Sequence, residues 1–214
     1  MKFKLAIFDL DGTLMDTSSG IFTTANKAIE LVGREPEYDI EQLRKFIGPP
    51  IDQCFVHTFN LEKELIAEAI EHYRKEYDLR GKFGAKEYPT IKHTLEILKD
   101  RGYILAVGSL KTESLVLSMM DHFGFTHFFS SIRGGDPTGS LSKADIVNKV
   151  LSDLNIEAKD AVLIGDTIHD ELGAKEANVS FIAVDYGFGF PRGQQKTDSM
   201  IAVVSRAEEL LSLL

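Results

Sequence analysis

Short apolar runs of four or five residues recur along this 214-residue chain, at Leu5–Phe8, Tyr103–Val107, Phe128–Ile132, Ala161–Ile164 and Ser180–Val184. Most are followed at once by Gly, Asp or Ser. Runs that are apolar at successive positions, not alternate ones, suit parallel strands covered by helices on both faces. A weaker run, Met200–Val204, reads as an edge strand. Helical spacing fills the intervals at Thr90–Asp100, Thr112–His122, Ser142–Leu154 and Ile168–Ala177, the first two stopped by Gly102 and Gly124. Ser205-Arg206-Ala207-Glu208 reads as a capping box that opens a last helix. This alternation predicts right-handed βαβ units and an α/β fold with a doubly wound, mainly parallel sheet.

Residues 17–85 break the rhythm, with helical patterns at Ile21–Val32, Ile40–Phe46 and Glu62–Leu79 and no convincing strand. Gly48-Pro49-Pro50 separates the second pattern from the third, and Gly81–Gly84 closes the stretch. The expected organisation is an α/β domain from residues 1–16 and 86–214 with an inserted all-helical domain at 17–85. An apolar content of 43% supports a buried core. Against 33 Asp and Glu stand 24 Lys and Arg, a net charge of −9, which argues against a nucleic-acid polymer as ligand. Trp is absent, so a stacking platform for single strands is also disfavoured. Cys54 is the only cysteine, which rules out an internal disulfide and reads as a small buried apolar residue. No run approaches the ~18 apolar residues of a membrane span, and the N-terminal run is too short for a signal peptide. The expectation is a cytoplasmic chain, monomeric or weakly dimeric.

Leu5-Ala6-Ile7-Phe8-Asp9-Leu10-Asp11-Gly12-Thr13 carries the most chemical information. Burying a carboxylate costs several kcal/mol unless it is paired or bound to a metal. Here two aspartates at i and i+2 share one side of an extended chain at a strand's carboxyl end, where open α/β sheets bind ligands. Gly12 then permits a sharp turn. In Ala161–Ile164-Gly165-Asp166 a second strand ends in an aspartate, and Asp170 follows at the start of a helix. Asp9 and Asp166 on neighbouring strands would form an oxygen-rich site suited to Mg²⁺. Asp170 reads either as a helix cap or as a supporting group beside the metal.

Ser109 ends another apolar strand, with Lys111 two residues later. Ser142-Lys143-Ala144-Asp145 reads as an N-cap and first turn, in which Lys143 has the wrong sign for the helix dipole. A lysine placed against local stability suits an ammonium aimed at an anion.

Together these residues resemble the haloacid dehalogenase superfamily of aspartate-nucleophile phosphotransferases, over essentially the whole chain. Its four motifs correspond in order to Asp9-Leu10-Asp11-Gly12-Thr13, Ser109, Lys143, and Gly165-Asp166 with Asp170. The helical insert resembles the family's C1-type cap. Within the superfamily the chain is most similar to the phosphoglycolate phosphatase group and its bacterial 5′-nucleotidase-like members. That likeness rests on Asp16-Thr17, Phe46-Ile47-Gly48-Pro49-Pro50, Tyr73-Arg74 and Tyr186-Gly187-Phe188-Gly189. The sequence departs from the group at Leu110, where Asn or Ser is common, and in Ser-Lys-Ala-Asp, where Lys-Pro-x-Pro is commoner.

The resemblance implies a Mg²⁺-dependent phosphomonoesterase acting on a small phosphorylated metabolite. Asp9 would be the nucleophile and Asp11 the general acid and base. The metal set would be Asp9, Asp11 through its backbone carbonyl, and Asp166. Ser109, Lys143, Thr13 and Gly12 would form the phosphate-binding set, with Thr13 steadying Asp11 or its loop. Asp170 would support Lys143 or a metal-bound water. Arg44, Lys45, Gly48 and Arg74 are candidates for reading the substrate from the cap. Two alternatives remain open: a sugar-phosphate mutase, and a phospho-receiver signalling module that also gathers acidic residues and a lysine around Mg²⁺.

Overall fold

A computed structural model describes residues 3–48 and 50–214; Pro49, part of the Gly48-Pro49-Pro50 reading, lies outside the described residues. The chain opens with β1 (Leu5–Phe8), β2 (Met15–Asp16) and α1 (Ser18–Leu31). Then come α2 (Ile40–Leu43), α3 (Ile51–Phe59), α4 (Lys63–Leu79), β3 (Lys86–Glu87) and α5 (Ile91–Asp100). β4 (Ile104–Thr112), α6 (Glu113–His122), β5 (Ser131–Gly135) and α7 (Lys143–Leu154) follow. The last are β6 (Ala161–Gly165), α8 (Ile168–Glu176), β7 (Ser180–Val184) and β8 (Ala202–Val204). Contacts divide the chain into two compact units, Met1–Asp16 with Glu87–Leu214, and Thr17–Lys86.

In the first unit, β5-β4-β1-β6-β7-β8 form one sheet, and its pairings are parallel. β1 and β6 are buried at every position, as strands covered on both faces must be. Leu5, Ile7, Leu163 and Phe181 pack with Val147, Val150 and Leu151 of α7 and Ala174 of α8. α5 contacts β4, and α6 contacts both β4 and β5. The chain leaves β1 for β4 and β5, then returns to β1's other side at β6. The strand order therefore reverses at β1, the place where doubly wound sheets open a crevice at their carboxyl ends.

Three departures from the sequence reading have a clear physical reason. β4 runs on to Thr112 beyond the apolar Tyr103–Val107, because its pairing with β5 continues through a register shift between Gly108 and Thr112. The expected strand Phe128–Ile132 lies three residues later, at β5; Thr126–Phe128 is a 3-10 turn whose Phe128 packs on Phe125. Apolar content there reports burial, not extended backbone. The capping box at Ser205 does not form. Ser205 Oγ donates to Asp185 at 2.9 Å, Glu208 accepts from Thr90 Oγ1 at 2.5 Å, and Ala207–Ser212 is a 3-10 helix.

The second unit contains a helix the sequence reading omitted, α3, starting directly after Pro50. A proline can separate two helical patterns and also stand where a helix begins, as Pro50 does. Cys54 and Phe55 of α3 join Ala25, Ala28, Ile29, Phe46 and Ala69 in this unit's core, with Tyr73 against both Phe46 and Phe55. Burial raises the Cys54 thiol to about 11 and its Sγ donates to the Phe46 carbonyl, which fits a packing role. No helix among the described residues is long and apolar enough to cross a membrane.

Candidate active site

The register of β1 brings the ends of β1 and β6 level with Ser109 inside β4. Phe8 pairs with Val107 of β4 and with Ile164 of β6, so Asp9, Ser109 and Asp166 all leave the same edge of the sheet. Asp9 N donates to the Ile164 carbonyl at 2.9 Å, which fixes the nearby backbone to β6.

Lys143, the first residue of α7, is only 4% exposed. Its Nζ donates to Asp9 Oδ1 at 2.6 Å and lies 2.6 Å from Asp170 Oδ1. The helix start is held by a capping box between Ser142 and Asp145, which compensates for a lysine at this end. Asp170 is the helix cap of the two readings, and it also faces Lys143. Its Oδ2 accepts from Thr167 N at 3.0 Å and from Thr167 Oγ1 at 2.6 Å in the capping box of α8, while Oδ1 faces Lys143. Burial pushes Lys143 downward, but Asp170 and Asp9 outweigh it and leave the ammonium's pKa raised.

Asp166 is fully buried and wrapped by the loop after β7. Phe188 N and Gly189 N donate to its Oδ2 at 2.7 and 3.3 Å, and Phe190 N donates to its carbonyl at 2.8 Å. A side chain at Gly187 would put its Cβ 2.4 Å from Asp166 Cβ, so only glycine permits this approach. Thr13 Oγ1 donates to Asp166 Oδ1 at 3.4 Å, so its hydroxyl faces Asp166 and not Asp11. Gly12 has φ +81, and a Cβ there would stand 2.1 Å from Asp166 Oδ2. Ser205 Oγ and Gly193 N tie the loop back to buried Asp185 at 2.9 and 2.7 Å.

Asp11 is paired with Lys111, whose Nζ lies 2.9 Å from Oδ1 and 2.9 Å from Oδ2. Ser109 is buried, and its Oγ accepts from Lys111 N at 3.3 Å. Lys111 drew notice in the sequence only as a neighbour of Ser109, and Tyr186–Gly189 only as a family likeness. Neither lies in an apolar or periodic pattern; each acts through a long-range approach that spacing does not encode. Arg44, Lys45, Gly48 and Arg74 all lie exposed in the second unit, with Arg44 beside Glu41 at 3.5 Å.

Oxygens of Asp9, Asp166 and Asp170 lie within 4.8 Å of one another, and all three residues are buried. Burial, then repulsion from Asp170, Asp166 and Asp11, raises Asp9 to about 8 despite the opposing pull of Lys143. Burial, with repulsion from Asp170 and Asp11, raises Asp166 to about 7 against the two backbone donors. When all are ionised, Asp9, Asp11, Asp166 and Asp170 set four carboxylates against the two ammonium groups of Lys111 and Lys143, leaving two negative charges unbalanced. A hard divalent cation with oxygen ligands fits that set in both charge and donor chemistry.

The haloacid dehalogenase-like hydrolase family profile matches residues 6–184, and the chain belongs to that family. It is 34% identical over 190 residues to a 5′-nucleotidase of Pseudomonas aeruginosa, covering 88% of this chain and 86% of that protein. It is 31% identical over 201 residues to a phosphoglycolate phosphatase of Psychrobacter arcticus, covering 89% and 86%. A haloacid dehalogenase-like family hydrolase from Streptococcus pneumoniae superposes with a TM-score of 0.88 at 31% identity, over 99% of this chain and 98% of that one.

Proposed function

We propose that the protein is a Mg²⁺-dependent phosphomonoesterase for a small phosphorylated metabolite of the phosphoglycolate or nucleoside 5′-monophosphate type. The observation that carries this reading is Asp9 itself, a buried carboxylate at the end of β1 whose Oδ1 takes a 2.6 Å hydrogen bond from Lys143. A nucleophile so placed is oriented, and the adjacent ammonium attracts a phosphate dianion toward it.

An Asp9 oxygen attacks phosphorus in line, the phosphorus–oxygen bond to the alcohol breaks, and Asp11 gives its proton to the departing oxygen. This leaves an aspartyl-phosphate on Asp9. Water then attacks phosphorus, its proton passes to Asp11, and the bond to Asp9 breaks to release phosphate and restore both carboxyl groups. Lys143 and Ser109 hold the transferring oxygens. Asp9, Asp166 and the Asp11 carbonyl would hold Mg²⁺, with Asp170 close by; the ion's charge offsets repulsion between carboxylate and phosphate. Thr13, Gly12 and the 186–189 loop keep Asp166 in place, and Asp170 holds Lys143.

We assign the helical unit the cap role, with Arg44, Lys45, Gly48 and Arg74 as candidates for reading the leaving group. The test is phosphate release from phosphoglycolate, nucleoside monophosphates and sugar phosphates, with and without Mg²⁺. The proposal expects metal-dependent release from at least one of them. Isomerisation of a sugar phosphate without free phosphate, or a phosphoprotein stable for hours, would replace it with a mutase or a receiver module.

A further inference from the structure

We propose that Lys111 is a positioning residue for Asp11, fixing the carboxyl group that delivers the proton to the leaving alcohol. This inference rests on the phosphomonoesterase reading above. Lys111 Nζ stands 2.9 Å from each Asp11 oxygen, so one ammonium restrains both the position and the rotation of the carboxylate. The lysine side chain is 11% exposed and Asp11's is 25%, so the pair is shielded more than an ordinary surface ion pair. The backbone under Lys111 is itself held. β4 continues past Ser109 through its register shift against β5, and Ser109 Oγ accepts from Lys111 N at 3.3 Å. β4 thus supplies two groups from one segment: Ser109, assigned above to the phosphate, and Lys111 beside Asp11. Asp11 otherwise sits in the turn after β1, where Gly12 N donates to the Met15 carbonyl at 2.8 Å. That turn fixes the backbone of Asp11 but not the rotation of its side chain.

The test compares kcat/KM for the wild type, K111M, K111R and D11N on two classes of ester. One is an alkyl phosphate, whose alkoxide must be protonated to leave; the other is p-nitrophenyl phosphate, whose phenolate leaves without a proton. Because kcat/KM reports the phosphorylation step, Asp11's later work as base does not enter it. General acid catalysis is worth ~10²–10⁴-fold, and a small misplacement of a reacting group costs up to ~10²-fold. The expected result is a K111M loss on the alkyl ester at least ~10-fold larger than on p-nitrophenyl phosphate. D11N should show the same bias more strongly, and K111R, which keeps the cation, should recover part of the loss. An equal loss on both esters would overturn the inference and make Lys111 a phosphate contact; a loss confined to thermal stability would make it structural. A wild-type chain that hydrolyses neither class would instead overturn the phosphomonoesterase reading itself.

Discussion

Replacing Lys143 with Met keeps the buried aliphatic stem and removes one charge from between two carboxylates. Nζ lies 2.6 Å from both Asp9 and Asp170, and the three side chains are 3%, 10% and 3% exposed. Taking away the shared partner of buried ions leaves them unpaired, at a cost of about 3–5 kcal/mol. For a chain of this length ~1 kcal/mol moves Tm by about 2–4 °C, so K143M should melt ~6–20 °C lower in metal-free buffer at a pH about one unit above the Asp9 value. The loss should narrow below pH 8, because Asp9, raised to about 8 even beside the ammonium, takes up a proton and removes one of the two unpaired charges. The double variant K143M/D170N should recover much of the stability, since only one of the two partners of Lys143, Asp9, is then left without its cation. It should not recover activity. On the proposed mechanism the Lys143 ammonium acts on the transferring oxygens, a contribution worth ~10²–10³-fold that both variants lose. Thermal melts across pH, paired with kcat/KM, give the answer. A K143M protein within 1 °C of wild type and within threefold of its activity would refute the reasoning.

Two further outcomes follow from the same carboxylates. Asp9 and Asp166 have folded-state pKa values raised to about 8 and 7 from 3.8, so their contribution to metal-free stability is complete below about pH 4 and lost as pH rises toward 8. Mg²⁺ at a hundred times its Kd should stabilise by about 2.7 kcal/mol, and its shift in Tm relative to EDTA should grow between pH 6 and 8; a shift independent of pH would separate the ion from these groups. Gly12→Ala forces a left-handed φ of +81 on alanine and pushes Cβ to 2.1 Å from an Asp166 oxygen already held by two backbone donors. Mg²⁺ affinity measured by calorimetry should fall ~10–100-fold with the fold retained, and wild-type affinity in this variant would contradict the geometry.

The parts of the fold legible in the sequence are those that depend on local pattern. β1 and β7 have the bounds expected from apolar runs, and α7 begins where Ser142 and Asp145 form their capping box. Lys143 was legible for a physical reason, its unfavourable sign at a helix start, and it is buried against Asp9. Phe128 misled because an apolar side chain can be buried from a 3-10 turn as well as from a strand. α3 was missed because Pro50 both interrupts one element and begins the next. Glu171, next to Asp170 in α8, is buried and accepts from Thr197 Oγ1 at 2.7 Å. Its partner lies 26 residues away, as Lys111 lies 100 residues from Asp11, and no local pattern records such pairs.

The most direct measurement is chemical trapping of the enzyme during turnover. Rapid acid quench of the wild type with a ³²P-labelled substrate, followed by borohydride reduction and peptide mapping, should convert residue 9 alone to homoserine. Asp9→Asn should carry no label and release no phosphate while keeping the wild-type fold. Turnover without label on residue 9, or near-wild-type phosphate release by Asp9→Asn in excess Mg²⁺, would contradict the account.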